Sequence, residues 1–417
     1  MKIHITLIGL FLLFQAFFTF AEEIQYPVPA YDGEELETVR EWEKNWAGKK
    51  ITPENIDGVK EFVPATFLQI MKNTQLWGES WFEIVPYKEV KPSKGEIKLT
   101  RKYAGTCKIA DDDKLIGYVS GIPFPRPKTG LEMAHNFDNH NTGDNCNAFE
   151  DMYLINGKSR YDRKMSLEVK FLYFSGRREI PPVPEILPNK KNIYMATHLE
   201  YSEPASMRGS RSIHIKFKDR TLDAEMYSWS STARKVTRKS TAQKESTQGG
   251  SDASSDDQNV YDNAIPFMSY NFVGRKELLL ARNQDVELLK KGHTEGYCIF
   301  NGFQRERIKT YAVECTHKNP KYLYSKQVWY IDPETWYILY ADKYDRQGTL
   351  WRVFENANVV VESSYNNERI GTIGFVSILD VKQLHGTGGF GNYEIGGTGK
   401  YYQPEYYTQD ALLKYGY

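Results

Sequence analysis

The sequence predicts a β-dominated α+β protein built on a large antiparallel sheet. Its 417 residues include 29 Tyr, 21 Phe and 8 Trp, aromatic types that favour strands. From Trp81 onward, short apolar runs follow one another at intervals of about ten residues, with turn residues between them. Three further runs, between residues 326 and 355, lie too close together for a helix to fit between them. Consecutive strands without intervening helices pair antiparallel, in a sheet or a barrel.

Residues 326–355 are the clearest part of this sheet. Residues 332–335 carry Pro at the second position of a type I turn, and residues 345–348 begin with Asp and end with Gly, as such turns prefer. With four-residue loops, alternation assigns one face to Trp329, Ile331, Trp336, Ile338, Tyr340, Trp351 and Val353. It assigns the other face to Val328, Tyr330, Tyr337, Leu339, Leu350 and Phe354. Because both faces are apolar, both must be covered, by a helix, a second sheet or a molecule that is not protein.

Helical patterns flank the strands at both ends of the chain. Residues 33–46 have apolar positions at helical spacing, and residues 56–71 repeat the pattern with Pro64 inside it, which predicts a helix that is kinked or split there. Residues 404–416 predict a short closing helix. The predicted strands are residues 81–87, 96–103, 115–125, 151–156, 165–174, 192–201, 211–218, 224–230, 270–281 and 371–381.

The N-terminus has the pattern of a secretory signal peptide, predicted over residues 1–21. A Lys near the start precedes an apolar run over 5–20, and small residues at 19 and 21 suit cleavage before Glu22. The alternative, a transmembrane anchor, is disfavoured because the run is short of the roughly 20 residues that a span needs. Removal of this segment takes one Lys and moves the formal charge from +0 to about −1, which is too small to attract nucleic acid.

Residues 22–417 are expected to form a single domain that contains a flexible insert at about 239–262. Residues 239–259 are polar and small, and they lack the apolar side chains needed to become ordered. A domain boundary at this point is the alternative. We favour an insert within one sheet because strand patterns of the same kind lie on both sides of it.

Four cysteines in an exported chain suggest disulfides. A hairpin turning near residues 306–307 would set Cys298 and Cys315 opposite each other, and closing that loop would contribute about 3 kcal/mol. Cys107 and Cys146 would then pair by default. A four-thiolate metal site is disfavoured because no C-x-x-C element is present.

Motifs for catalysis or for cofactors are weak. Residues 386–391 match G-x-G-x-x-G, but no helix pattern follows, so we expect no dinucleotide. Residues 135–146 gather His135, Asp138, His140 and Asp144 in a spacing that fits no Ca²⁺ or Zn²⁺ site, which favours a solvated turn. In residues 117–121 the Ser stands one place too late for a nucleophile elbow. We therefore expect no catalytic residues, no metal and no cofactor, and a protein that is not an enzyme.

Several segments together resemble an exported bacterial family, the domain of unknown function numbered 1329, whose members are similar to the outer-membrane lipoprotein carriers LolA and LolB. The stretches that carry the resemblance are residues 55–71, 117–125, 208–209, 227–238, 274–277 and 344–355. The resemblance implies a strongly curved antiparallel sheet, an incomplete barrel wrapped around a few helices, with an apolar cavity between them. It also implies a periplasmic location, possible association with the outer membrane, and work beside an inner-membrane exporter. The polar insert departs from the family pattern.

The residues and the resemblance predict a carrier or receiver of lipid or other hydrophobic molecules. Each CH₂ of a bound chain that leaves water would contribute about 0.8 kcal/mol. The candidate lining residues are Trp329, Ile331, Trp336, Ile338, Tyr340, Trp351 and Val353, and the alternative is that they are plain core. Two other functions stay open, an outer-membrane β-barrel protein and a secreted hydrolase. The apolar character of both faces of the 326–355 sheet disfavours the first, since a barrel lumen should be polar.

Overall fold

A computed structural model describes residues 26–156, 160–239, 245, 247, 250–288 and 302–414. The predicted signal peptide, much of the insert and Cys298 lie outside these residues. None of the helices in the described ranges is both long and apolar enough to cross a membrane.

Helices gather at the two ends of the chain and between the early strands. The α-helices are α1 Gly33–Trp46, α2 Ala65–Lys72, α3 Thr74–Trp77, α4 Lys94–Tyr103, α5 Gly130–Asp138 and α6 Gln409–Lys414. Short 3₁₀ segments are Ile56–Phe62, Ser255–Val260, Ile265–Phe267, Lys400–Tyr402 and Pro404–Tyr407. Asp32 starts α1 with a capping box, and Pro64 separates the 3₁₀ turn from α2, as the sequence predicts.

The strands are β1 Lys50–Ile51, β2 Phe82–Ile84, β3 Lys108–Ile109, β4 Leu115–Ile116, β5 Asn145–Asn156, β6 Arg160–Tyr173, β7 Ile193–Glu203, β8 Arg211–Phe217, β9 Glu225–Ser230, β10 Lys235–Lys239, β11 Met268–Ala281, β12 Phe303–His317, β13 Lys326–Ile331, β14 Ile338–Tyr344, β15 Leu350–Glu362, β16 Arg369–Asp380 and β17 His385–Ile395. Most belong to one sheet in the order β1-β2-β12-β13-β14-β15-β16-β17-β5-β6-β7-β8-β9-β10, and β11 pairs with β12. Neighbours are antiparallel except β2 and β12. β3 and β4 form a separate hairpin. The predicted meander is confirmed as β13, β14 and β15.

Register defines two faces of the large sheet. Residues directly opposite each other point to the same side, so one side, here called the inner face, can be followed from strand to strand. From β14 to β6 it runs through Ala341, Phe354, Ile378, Thr387, Leu154 and Arg163. Alternate residues of a strand share a face, so the inner face of β6 includes Tyr173. Tyr173 is opposite Met195 on β7, which is opposite Lys216 on β8, so Lys216 also belongs to the inner face. The opposite side is called the outer face.

The sheet curves around its inner face. Lys343 on β14 binds Asp257, and Lys216 on β8 binds Asp262. The two strands are seven places apart in the sheet order, which in a flat sheet is about 34 Å. Five residues of extended chain reach only about 17 Å. The segment 255–263 spans between the two strands on the inner face, around which the sheet bends, so the fold is a curved, open antiparallel sheet with a few helices, as predicted.

Both ends of the outer face are covered by helices. Helices α1 to α3 and the 3₁₀ turn Ile56–Phe62 pack on strands β11 to β17, in a core that includes Val39, Phe67, Leu339 and Phe375. At the other end, the C-terminal segment 402–412 packs on β6 to β9 through Tyr406, Tyr407 and Leu412. The outer face is therefore largely a conventional core.

Two predicted strands differ in the structure. Residues 96–103 belong to helix α4, because the Ser93 hydroxyl caps the helix by accepting from the Glu96 amide. Apolar residues two apart in that stretch mimic a strand. Of residues 115–125, only Leu115–Ile116 form a strand. The glycine-rich residues 386–391 lie within strand β17.

The cysteine predictions need correction. Residues 303–317 form one uninterrupted strand, so no hairpin turns near residues 306–307. The charges that suggest a turn there are used in ion pairs, Glu306 with Arg282 and Arg307 with Glu277. Cys315 is a buried free thiol, and its expected partner Cys298 lies outside the described residues.

The expected disulfide between Cys107 and Cys146 is absent, since both thiols are free and buried. Cys107 precedes the separate hairpin of β3 and β4, whereas Cys146 lies on β5 of the large sheet beside Ile370 and Ile395. Cys107 thus lies outside the large sheet that contains Cys146.

Candidate functional site

The structure divides the predicted lining residues between the two faces. Four of them, Trp329, Ile331, Trp336 and Ile338, belong to the core on the inner face. Tyr340 and Val353 belong to the core under α1 to α3 on the outer face. Trp351 is half-buried near a turn, where its Nε1 donates to Asp380 at 2.7 Å. The prediction of one shared face is wrong.

A local change of register causes this division. A β-bulge falls between Tyr330 and Ile331, and Trp336 in the following turn has a φ of 61°. Simple alternation through this turn therefore places Tyr340 on the wrong side, because one extra residue reverses every following side chain. The prediction that both faces are covered is confirmed.

A lid covers part of the inner face. The lid consists of helix α5 and residues 255–267. The ring centroids of Phe137, Tyr261 and Tyr270 lie 5.6, 5.4 and 5.7 Å from that of Trp329, which is fully buried. Since protein side chains surround Trp329, a ligand would reach this part of the inner face only after the lid moves.

One side of the lid is attached to the sheet by buried charges. Asp257 accepts from Lys343 Nζ at 2.5 Å and from Tyr324 Oη at 3.0 Å, and Arg352 Nη1 lies 3.3 Å from it. Burial by itself would raise the pKa of Asp257, but the charges of Lys343 and Arg352 outweigh burial and hold that pKa below its usual value. Residues 250–262 are thus ordered by charge pairing, and the predicted unordered insert is not what the structure shows for this part.

The other side of the lid meets strands β7 and β8. Asp262 pairs with Lys216, and Arg220 Nη2 lies 3.5 Å from both Asp138 and Asp262. Arg220 also lies over the Tyr194 ring, 5.1 Å from its centroid. These groups are partly exposed, so this attachment is weaker than the buried one at Asp257.

Between the two attachments, the inner face of β5, β6, β7 and β17 forms an apolar floor. Its side chains share this face by register, and they are Ala148, Glu150, Met152, Leu154, Met165, Leu167, Val169, Leu199, Tyr201 and Tyr393. Leu154, Met165, Leu167 and Val169 are buried, yet they belong to none of the hydrophobic clusters among the described residues. Met152, Leu199 and Tyr201 are half-buried. The floor is thus an apolar surface on which buried and half-buried side chains stand next to one another.

One carboxyl group lies in this floor. Glu150 is opposite Leu167, which is opposite Tyr201, and on its other side it is opposite Gly391. The Tyr393 ring lies over Gly391, which has no side chain to displace it. Burial raises the pKa of Glu150 to about 7. No hydrogen bond or ion pair of its side chain occurs with any residue that the structure describes.

Sequence reasoning missed Glu150, although a signal was present. Residues 148, 150, 152 and 154 read Ala, Glu, Met and Leu, so a single acid stands on an otherwise apolar strand face. Pairing with β17 and β7, which are distant in sequence, could not be deduced from this pattern.

A small polar cleft of about 40 Å³ is lined by residues that include Glu96, His140, Asp144, Arg178 and Glu334. Asp144 is buried and accepts from the backbone amides of Arg178, Glu179 and Ile180 at 2.7–2.8 Å. The predicted solvated turn at 135–146 is therefore wrong, since this segment is largely buried. Its ligand-type side chains are engaged in structure, and among the described residues no group suited to a metal ion is found.

Fold and site together define a protein with a curved open sheet, a lid on its inner face and an apolar floor beside the lid. The chain belongs to the family described as "Protein of unknown function (DUF1329)", which matches residues 50–412. An uncharacterized Pseudomonas aeruginosa protein, PA3922, is 28% identical over 110 residues, which span 24% of each chain. The match thus covers about a quarter of that relative.

Two solved structures have similar folds. A DUF1329 family protein from Desulfovibrio piger has 18% identity and a TM-score of 0.48 over 68% of this chain and 97% of its own. A putative outer membrane lipoprotein-sorting protein domain from Vibrio parahaemolyticus has 15% identity and a TM-score of 0.48 over 68% of this chain and 98% of its own. At these scores the likenesses carry no argument about function.

Proposed function

We propose that the protein is a periplasmic carrier or receiver of lipid or other hydrophobic molecules. The observation that supports this is the apolar floor of β5, β6, β7 and β17, where Met152, Leu199 and Tyr201 remain half-buried on the inner face. A ligand chain that covers these half-buried side chains would itself gain about 0.8 kcal/mol per CH₂ removed from water. Met152 and Met165 add unbranched side chains that adapt to ligands of different shape.

In this proposal the lid controls access to the rest of the inner face. Trp329, Ile331 and Ile338 lie under the lid and would contact a ligand once the lid is displaced. Tyr340 and Val353 would not, because α1 to α3 cover them on the outer face. The role is one of binding rather than catalysis. We propose that residues 22–417 act as one domain after removal of residues 1–21, since strands on both sides of the insert share one sheet.

The carrier would exchange its cargo with an inner-membrane exporter and an outer-membrane protein. The first test is mass spectrometry of organic extracts from the protein purified out of cells, combined with binding of the neutral fluorescent probe N-phenyl-1-naphthylamine. We expect a co-purifying lipid or other hydrophobe and saturable probe binding. If the extracts contain none and the probe does not bind, the proposal is wrong.

A pair of variants locates the binding surface. Met152→Gln places a polar amide on the floor at nearly constant volume, and we expect probe affinity to fall by about fivefold or more, because burying an unpaired amide is unfavourable. Phe149→Gln is the matched control, since Phe149 lies on the same strand but on the outer face, where it is 44% exposed. Equal affinities for the two variants would place the site elsewhere.

A further inference from the structure

The floor contains one feature that a purely apolar carrier site does not need, the Glu150 carboxyl. We propose that the floor binds amphiphilic amines, which are molecules with a long apolar body and one protonated amino group that pairs with Glu150. This inference rests on the proposed carrier function.

Position is the first argument. Glu150 stands in the middle of the floor rather than at its rim, in a row with Leu167 and Tyr201 across three adjacent strands. Ala148 precedes it and Met152 follows it on the same face of β5. An apolar chain lying along the floor would therefore carry its polar group directly past this carboxyl.

Charge is the second argument. Ionising a carboxyl in apolar surroundings is unfavourable unless a cation compensates it, and burial indeed raises the pKa of Glu150 to about 7. Within the described residues, no Lys or Arg forms an ion pair with Glu150. Arg163, the nearest cation on the inner face of the neighbouring strand, is four residues from Leu167, about 13 Å along the strand, and contacts Gly250. A ligand cation would supply the missing charge.

Aromatic rings are the third argument. Tyr201 on β7 and Tyr393 on β17 flank Glu150 closely enough that its charge raises the pKa of both phenols, although burial is the larger cause in each. Faces of aromatic rings attract ammonium groups. A carboxylate between two tyrosines is the combination that proteins use to bind an ammonium group, whereas a fatty-acid carboxylate would be repelled.

The experiment compares two ligands of equal chain length, dodecylamine and 1-dodecanol, as competitors of N-phenyl-1-naphthylamine at pH 8. For the unmodified protein we expect dodecylamine to bind about tenfold more tightly than dodecanol. In the Glu150→Gln variant this preference is expected to disappear. Glu168→Gln removes an acid from the outer face of the adjacent strand and should keep the preference.

A second variant and a pH series test the amine site independently, in case Glu150→Gln does not fold. Tyr201→Leu keeps an apolar side chain but removes the ring, and we expect the preference to fall by about threefold. Between pH 8 and pH 6 the amine affinity should fall as Glu150 takes up a proton, while dodecanol affinity should not. Besides Glu150, the titratable groups on this face in the described residues are Arg163 on β6 and Tyr201, Tyr393 and Cys146, and burial raises the pKa of the last three.

The outcomes separate the two proposals. Equal affinities for amine and alcohol in the unmodified protein, or a preference that survives in Glu150→Gln, would overturn the amine site and leave the carrier function intact. Failure of the probe and of both competitors to bind would overturn both.

Discussion

Buried carboxyl groups carry much of the residue-scale information in this protein. Asp257 is matched by Lys343 and Arg352, and Arg305 Nη2 donates to Glu355 at 2.8 Å beneath the Phe67 ring. Burial raises the pKa of Glu355, Asp342 and Glu150 alike, but among the described residues no cation forms an ion pair with Asp342 or Glu150. A buried acid without a cation partner can accept a hydrogen bond from a neutral donor, as Asp342 does, or it can lie in a site where a ligand would supply the positive charge, as we propose for Glu150.

Asp342 is the first case. Burial raises its pKa to about 6, although the Thr66 hydroxyl of α2, which donates to it at 2.7 Å, opposes this. The folded state therefore holds this proton more tightly than the unfolded state does, and stability is lost as the pH rises through the folded pKa. We predict that Asp342→Asn, which can still accept from Thr66, stabilises the protein by about 1–3 kcal/mol at pH 7.5.

Urea unfolding at several pH values tests this prediction. The advantage of Asp342→Asn should shrink as the pH falls from about 6 and vanish below about 4. Glu37→Gln, an exposed change on α1, should alter the free energy of unfolding by less than about 0.5 kcal/mol at every pH. An advantage that does not depend on pH would contradict the assignment.

At the scale of elements, part of the polar insert predicted at residues 239–262 is an ordered part of the fold. Residues 250–262 look like a linker in the sequence because they are small and acidic, yet the structure buries Asp252, Asp256 and Asp257. Asp252 binds His385 and Thr387 on β17, while Asp257 binds charges on β14 and β15. Composition could not reveal this, because the cations that bind these acids are far along the chain. Local turn chemistry, by contrast, was enough to predict β13 to β15.

The lid segment should detach when its buried anchor is removed. We predict that Asp257→Asn destabilises the protein by about 3–5 kcal/mol, because Lys343 and Arg352 are left buried without their counter-charge. Chemical denaturation measures the loss, and limited proteolysis should show earlier cleavage within 250–262. Adding Lys343→Met should recover part of the loss, since the two residues are coupled.

The exposed change Asp223→Asn serves as the control for this prediction. The same stability for Asp257→Asn and Asp223→Asn would show that the Asp257 cluster does not hold the lid segment.

At the scale of the whole molecule, the two attachments of the lid to the sheet differ in how deeply their ion pairs are buried. The Asp257 cluster is fully buried, whereas the Lys216, Arg220, Asp138 and Asp262 group is partly exposed and sensitive to salt. The lid should therefore open first on the β8 side and rotate about the Asp257 side.

Features that depend on contacts between residues distant along the chain could not be predicted from the sequence. The sheet, the helices, the family and, through the family, the curvature were accessible, whereas the lid and the floor depend on β14 and β8 both meeting one segment between them.

Hydrogen exchange tests this asymmetry. In the double variant Asp138→Asn with Asp262→Asn, amides of α5 and of residues 255–263 are predicted to exchange about 2–10-fold faster, because the charges that hold the lid to β8 are gone. Amides of α1 and α2, on the outer face, should exchange at unchanged rates. A uniform acceleration across the chain would indicate general destabilisation instead of opening of the lid.

A curved sheet that does not close on itself keeps outermost strands, and β10 is the last described strand at one end of the order. Its five residues read Lys-Val-Thr-Arg-Lys, and Lys235 and Arg238 are exposed. A strand from a second molecule that tried to pair there would have to approach this positive charge and strip its water. Self-association through this edge is thereby disfavoured while the sheet remains open.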